Sequence, residues 1–333
     1  MVDWAGTLEI TSARCRGVDA FAATRLAAGT ACLLFAAASD LRTRRVTDRL
    51  WIVIGSFGLL LLCVQLSIVS VSGTLSANVP PPEVLALVGC SAILFYAIFF
   101  GTPLFGEEGF HLGPVRVLAF LAAAALFVFP AASYLGSGRP IPGAVVELYP
   151  APAMILVYQG FYLARILHGG ADAKGLIALT LLVPTYPDAS PYPILVPNPI
   201  VQDLLRVAFP FSLVIYVDAA ILFLAVPVVL FLRNAIRGDF GLPQAFLGYR
   251  VPIDRIPSKA WLMERINNRG EHILVLFPKR GGDRSEDLAR LRAAGVDKVW
   301  VTPQIPFMIP LLGGFWLAFF VGNVLLGVLG LGR

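Results

Sequence analysis

Histidine, cysteine and charge are all scarce in this chain, and each scarcity removes a class of chemistry. Its 333 residues include 3 histidines and 4 cysteines. Cys15, Cys32, Cys63 and Cys90 stand singly, three of them in apolar stretches, without the paired spacing that a zinc site or redox couple requires. They read as packing residues. His111, His168 and His272 have no serine or cysteine partner evident in sequence, so no nucleophilic triad is marked out. Charged residues make up 14% of the chain, well below the soluble average. Gly281-Gly282 lacks the Gly-x-x-x-x-Gly-Lys-(Ser/Thr) spacing of a phosphate loop. Acids interleave with the basic residues and no recognition motif accompanies them, which argues against nucleic acid as a partner. None of these residues implies a cofactor or a metal.

Apolar sequence fills the space left. Hydrophobic residues account for 57% of the chain, and mean hydropathy is +0.78. A helix needs about 20 predominantly apolar residues to cross a bilayer. Runs of that kind lie near 20–39, 51–71, 84–101, 115–135, 151–168, 173–187, 207–232 and 306–331, the sixth being the shortest. The fold class they predict is an all-α polytopic membrane protein of about eight transmembrane helices, with a small cytosolic α/β domain inserted before the last helix. Residues 1–232 are expected to form the membrane domain with about seven helices, 233–303 the cytosolic domain, and 304–333 the final transmembrane helix.

The polar block from Arg233 to Thr302 holds 13 basic and 8 acidic residues, an excess equal to the net +5 of the whole chain. Ser258 reads as the cap of a helix over 259–266, with Gly270 as its stop. A strand follows at 273–277, then a turn at 279–284. Ser285 caps a helix over 286–292 that runs up to Gly295, and a strand covers 298–301. The basic excess suits a surface held near anionic membrane lipids.

Orientation rests on the first loop. Ala36-Ala37-Ala38 imitates a signal-peptidase site, yet Arg42, Arg44, Arg45 and Arg49 follow at once. The expectation is therefore a retained first helix with that loop in the cytoplasm. Arg116, Arg165, Lys174 and the basic block then fall on the same side. Between Asp40, at the inner end of the first run, and Asp172, at the start of the sixth, the chain crosses an even number of times. Both carboxylates are thus expected at one depth, one at a helix C-terminus and one where an N-cap lies.

The local sequences sharpen this. Ser39-Asp40-Leu41-Arg42-Thr43-Arg44-Arg45-Val46-Thr47-Asp48 ends an apolar helix in an acid and a basic stretch, while His168-Gly169-Gly170-Ala171-Asp172-Ala173-Lys174 separates two apolar helices with glycines. Both segments resemble the active-site motifs of the type IV prepilin peptidases, matching at Asp40, Val46 and Asp48 and again at Gly169, Asp172 and Lys174; Ala171 stands where the family's Gly-x-Gly-Asp pattern has glycine. Leu247-Gly248-Tyr249-Arg250-Val251-Pro252-Ile253-Asp254 and the stretch 299–307 resemble the archaeal branch, the prepilin and preflagellin peptidases. The longer gap between the two aspartates points to an extra helical pair between residues 72 and 150.

The resemblance implies a membrane aspartic endopeptidase, multi-pass in the cell membrane. It would remove the leader of pilin-like or archaellin precursors near the cytoplasmic face, with Asp40 and Asp172 as the catalytic pair and Gly169, Gly170 and Lys174 as active-site support. Asp48, Glu107 and Glu108 are candidates to read the basic segment of such a precursor. Two close carboxyl groups do not both ionise easily, so one holds a proton while the other activates water. Lys174 and Arg165 have a plainer reading as side chains snorkelling to lipid headgroups. A transporter is the rival from another class: Asp218, near the middle of the run at 207–232, would join Asp40 or Asp172 in an ion or proton path. A structural link between helices is the other reading of Asp218, and interhelical hydrogen bonds account for Gln65, Gln159 and Asn323. General intramembrane proteases with a Gly-x-Gly-Asp site place their first acid in a Tyr-Asp pair, whereas Ser39 precedes Asp40 here.

Overall fold

The computed structural model describes residues 20–71, 80–100, 105–106, 109–110, 113–167, 169–187, 191–195, 204, 206–267, 269–276 and 284–330. They fall in two compact units, the second made of Ile221–Phe307 and the first of the chain on either side of it.

In the first unit α1 (Ala20–Thr43) and α2 (Asp48–Val71) are joined by a tight turn at 44–47. Asp48 begins α2, where an acid complements the helix dipole. Helices α3 (Pro82–Phe99) and α4 (Pro114–Ser137) lie in the region between 72 and 150 and pack closely against each other. Each has proline at its start, where a missing N–H costs nothing. The start of α3 and the end of α4 are tied at Glu83, which is 4% exposed and accepts from Ser133 Oγ at 2.8 Å and from Arg139 at 3.4 Å. Pro130 interrupts α4 from within, and the Tyr149 hydroxyl enters the broken ladder, accepting from Ala131 N at 3.2 Å and donating to Phe127 O at 2.9 Å. A two-residue hairpin, β1 (Phe105–Gly106) and β2 (Gly109–Phe110), lies between α3 and α4.

Helices α5 (Gly143–Leu148) and α6 (Pro150–Leu163) lead to α7 (Gly170–Leu182), the most enclosed element of the unit. Every residue of α7 from Gly175 to Leu182 is buried, as expected of a helix apolar on all sides. It packs against α2 and α6 and touches α1 and α3. Gly58 is what lets α2 come so close, since a β-carbon there would stand 2.5 Å from the Leu181 carbonyl oxygen and the Leu182 Cα. Then follows α8 (Phe211–Phe223), and α9 (Ala225–Arg237) comes after it, in the second unit. The break at Leu224 comes from Pro227, whose absent N–H and bulky ring disrupt the preceding turn. After the second unit, α12 (Met308–Phe320) returns to pack on α1, and the short α13 (Val324–Val328) follows.

Among the described residues six helices are long and apolar enough to cross a membrane: Ala20–Thr43, Asp48–Ile68, Pro82–Phe99, Pro114–Ser137, Gly143–Leu163 and Phe211–Arg237. The architecture is that of a polytopic membrane protein carrying a small α/β unit. At the sixth and last of the eight expected runs the helices are shorter, 13 residues each in α7 and α12. Pro184 explains the first case, because the residue before a proline is pushed out of the helical region, and Val183 sits at φ −129 and ψ 76.

In the second unit α10 (Gln244–Leu247) precedes a three-stranded antiparallel sheet. Its central strand β7 (Lys298–Pro303) is flanked by β3 (Tyr249–Pro252) and β4 (Ala260–Leu262). Val299 and Val301 face a core with Ile253, Ala260 and Leu291, whereas Trp300 faces Ala245 and Met263, the two-residue alternation of a sheet buried on both sides. A hairpin of β5 (Glu264–Ile266) and β6 (His272–Leu274) and the helix α11 (Arg284–Ala293) complete it. The helix expected over 259–266 is absent: those residues form β4 and β5. Pairing with β7 at Leu262↔Val301, together with burial of Ala260 and Met263, outweighs a weak local helix preference. Gly270, expected as that helix's stop, closes the hairpin at φ +78 instead, beside Asn267, whose Oδ1 accepts from the N–H groups of Arg269 and Glu271 at 2.9 Å each. The expected helix at 286–292 and strand at 298–301 are present; of the turn expected at 279–284, residues 279–283 lie outside the described residues and Arg284 begins α11.

Candidate active site

Asp40 lies in the last turn of α1, half-buried. Its carbonyl oxygen accepts from Arg44 N at 3.0 Å, and Arg44 takes a left-handed conformation, φ 57, to reverse the chain. Ser39 Oγ donates to the Arg45 carbonyl at 2.8 Å, and Thr43 Oγ1 shares its one proton between the Ser39 carbonyl at 2.9 Å and the Arg45 carbonyl at 3.1 Å. Hydroxyl side chains one turn apart therefore clamp the segment that joins Asp40 to α2.

Asp172 occupies the first turn of α7, where the helix N-terminus favours an acid. Gly169 is the cap residue, extended at φ −98 and ψ 118, and its carbonyl accepts from Asp172 N at 3.1 Å and Ala173 N at 3.3 Å. The Asp172 carboxylate folds back over this glycine. A β-carbon at 169 would lie 2.7 Å from Asp172 Cγ and 3.2 Å from Oδ1, so any other residue would expel the carboxylate from its position. At Gly170 a β-carbon would meet the Tyr162 ring at 3.5 Å, an ordinary contact. Of the two glycines singled out in sequence, the first shapes the site directly.

Two contacts fasten the start of α7 to the start of α2. Lys174 Nζ meets Asp48 Oδ2 at 2.6 Å, with the Phe99 ring centroid 5.8 Å away. One residue further on, Gly175 receives the fully buried Trp51 ring, whose nearest atom stands 3.1 Å from the position of a β-carbon. The turn at 44–47 places the start of α2 beside the end of α1, so Asp40 and Asp172 lie at the same end of the helix assembly, on helices that touch.

Lys174 thus has a protein partner, where the sequence alone favoured lipid headgroups. Asp48, offered as a reader of substrate charge, is that partner. Sequence reasoning missed the pairing because 126 positions separate the two residues. Trp51 and Gly175 also went unremarked, though a bulky aromatic opening one helix and a glycine in the first turns of another were visible. Glu107, Glu108 and His168 lie outside the described residues.

The other buried polar groups belong elsewhere. Asp218, fully buried in α8, accepts from Val324 N at 3.2 Å, the first N–H of α13. Asn323 caps the same helix by accepting from Leu326 N at 3.1 Å, a local bond where an interhelical one was expected. Gln65 does join two helices, accepting at 2.8 Å from the buried Arg25 of α1. Among the described residues no group of three or more His, Cys, Asp or Glu stands together as metal ligands would.

Residues 242–324 match the family model described as Archaeal Peptidase A24 C-terminus Type II. Over 180 residues the chain is 28% identical to a preflagellin peptidase of Methanocaldococcus jannaschii, covering 53% of this chain and 71% of that protein. Over 170 residues it is 22% identical to a preflagellin peptidase of Methanococcus voltae, covering 48% and 66%. The chain is therefore similar to archaeal preflagellin peptidases, and the family-model match contains the stretches 247–254 and 299–307 that resemble that branch in sequence.

Proposed function

We propose that this chain, similar to archaeal preflagellin peptidases, is a membrane-embedded aspartic endopeptidase that removes the leader peptide from pilin-like or archaellin precursors. One observation carries the reading: Asp40 and Asp172 stand at the same end of two touching apolar helices, in a chain 28% identical over 180 residues to a preflagellin peptidase. Arg42, Arg44, Arg45 and Arg49 cluster at that end, and the positive-inside rule puts such a short basic loop in the cytoplasm. The cut is accordingly made at the cytoplasmic face.

The chemistry needs two carboxyl groups in different protonation states, which mutual repulsion supplies, so the proton belongs to the pair. The ionised carboxylate takes a proton from water as the water oxygen bonds to the scissile carbonyl carbon. The protonated one donates to the carbonyl oxygen. On collapse of the tetrahedral intermediate the C–N bond breaks, the hydroxyl proton returns to the second carboxylate, and the first gives its proton to the leaving amine. Both acids end as they began. Asp218 takes no part, being committed to the start of α13.

Membranes holding wild type, Asp40→Asn, Asp172→Asn or Asp218→Asn are incubated with a pilin-like precursor and leader release is followed by gel shift. Each dyad variant is expected to abolish cleavage while Asp218→Asn retains it. A wild type inert across a panel of precursors, or a dyad variant cutting at full rate, overturns the reading and turns attention to ion transport at Asp218.

A further inference from the structure

The Asp48–Lys174 pair joins the end of the segment leaving Asp40 to the first turns of the helix that carries Asp172. Its side chains are 50% and 32% exposed, too open to water for the attraction to contribute much to folding. Its placement is another matter. On one side the clamp made by Ser39 and Thr43 on the Arg45 carbonyl stiffens the path from Asp40 to Asp48. On the other, Lys174 sits on the helical turn that bears Asp172, and the neighbouring Gly175 is seated on Trp51. Asp40, the clamped turn, Asp48, Lys174 and Asp172 form one short mechanical path between the two carboxylates.

We propose that Asp48 is a positioning residue: through Lys174 it holds the first turn of α7 in register with the end of α1 and so sets the gap across which Asp40 and Asp172 share a proton. Asp48 touches neither substrate nor reacting atoms. Its loss lets the start of α7 shift against α2, and a misplacement of about 1 Å at reacting groups costs on the order of a hundredfold in rate. The proposal rests on the peptidase reading and adds to it a residue whose effect falls on turnover instead of substrate capture.

The test is steady-state cleavage of a pilin-like precursor by full-length protein in membranes, for wild type, Asp48→Asn, Asp48→Glu, Lys174→Gln and the double variant Asp48→Asn/Lys174→Gln. Asp48→Asn should lower kcat between about tenfold and a hundredfold with KM nearly unchanged. Asp48→Glu, which keeps the charge on a longer arm, should restore most of that loss. The double variant should be no worse than the poorer single one, since both break the same link. A defect of Asp48→Asn confined to KM would make Asp48 a reader of substrate charge and overturn the proposal, as would an unchanged kcat or losses that multiply in the double variant. If Asp48→Asn does not accumulate in membranes, Lys174→Gln carries the same test from the other side. Wild type that cuts nothing defeats the peptidase reading itself, a result distinct from wild type that cuts beside an unimpaired Asp48→Asn.

Discussion

The carboxylate of Asp172 occupies the space over Gly169 that a β-carbon would fill, its Cγ 2.7 Å from that point. Substitution at 169 is therefore a substitution of the acid's position. Gly169→Ala should lower precursor cleavage at least tenfold, the scale expected when a catalytic group is moved, while the protein accumulates normally. Gly170→Ala, where the added methyl meets only the Tyr162 ring at 3.5 Å, should cleave within about twofold of wild type, since alanine suits a helix better than glycine. Cleavage assays on the two variants side by side check this. Equal losses would mean that backbone freedom, and not the seat of the carboxylate, is what the glycines provide.

A glycine of α2, packed against the other end of α7, governs stability instead. At Gly58 the obstacle to a side chain is backbone, the Leu181 carbonyl oxygen and the Leu182 Cα at 2.5 Å, and neither can rotate away. Gly58→Ala should force α2 from α7 at a cost of about 1–3 kcal/mol, the usual price of overpacking. The observable is a lower thermal midpoint of the detergent-solubilised protein. Gly160→Ala, with nothing within 4 Å of the added atom, should leave the midpoint at or above that of wild type.

Hydropathy and the ends of apolar runs made much of this legible in sequence. The runs appear as helices, Asp40 and Asp172 close and open theirs, and α11 stops before Gly295, at φ +76. Segments settled by distant partners were not legible. The chain over 259–266 carries a serine cap signal and reads as helix, yet β7 needed a second neighbour and took β4. Glu264 then found His272 at 2.8 Å across the hairpin and the Trp300 N–H at 2.9 Å, the latter 36 positions away and outside any local window of sequence. The Asp48–Lys174 pair was hidden for the same reason. Its two halves were each visible, but only the packing of α2 on α7 joins them.

Asp218 separates a structural acid from a transport acid. An α-helix begins with four N–H groups that lack partners inside it, and α13 places two of its own on side chains, Val324 N on Asp218 and Leu326 N on Asn323. Asparagine at 218 keeps an acceptor oxygen at the same reach, so Asp218→Asn should fold and process precursor at close to the wild-type rate. Asp218→Leu removes the acceptor and strands a partly buried N–H, which should cost about 1–3 kcal/mol and lower the thermal midpoint in detergent. An ion or proton path through Asp218 demands the opposite ranking in a flux assay, because asparagine cannot carry the proton or the charge. Vesicles in which wild type drives a flux that Asp218→Asn abolishes would move the acid from the frame of the protein to its function.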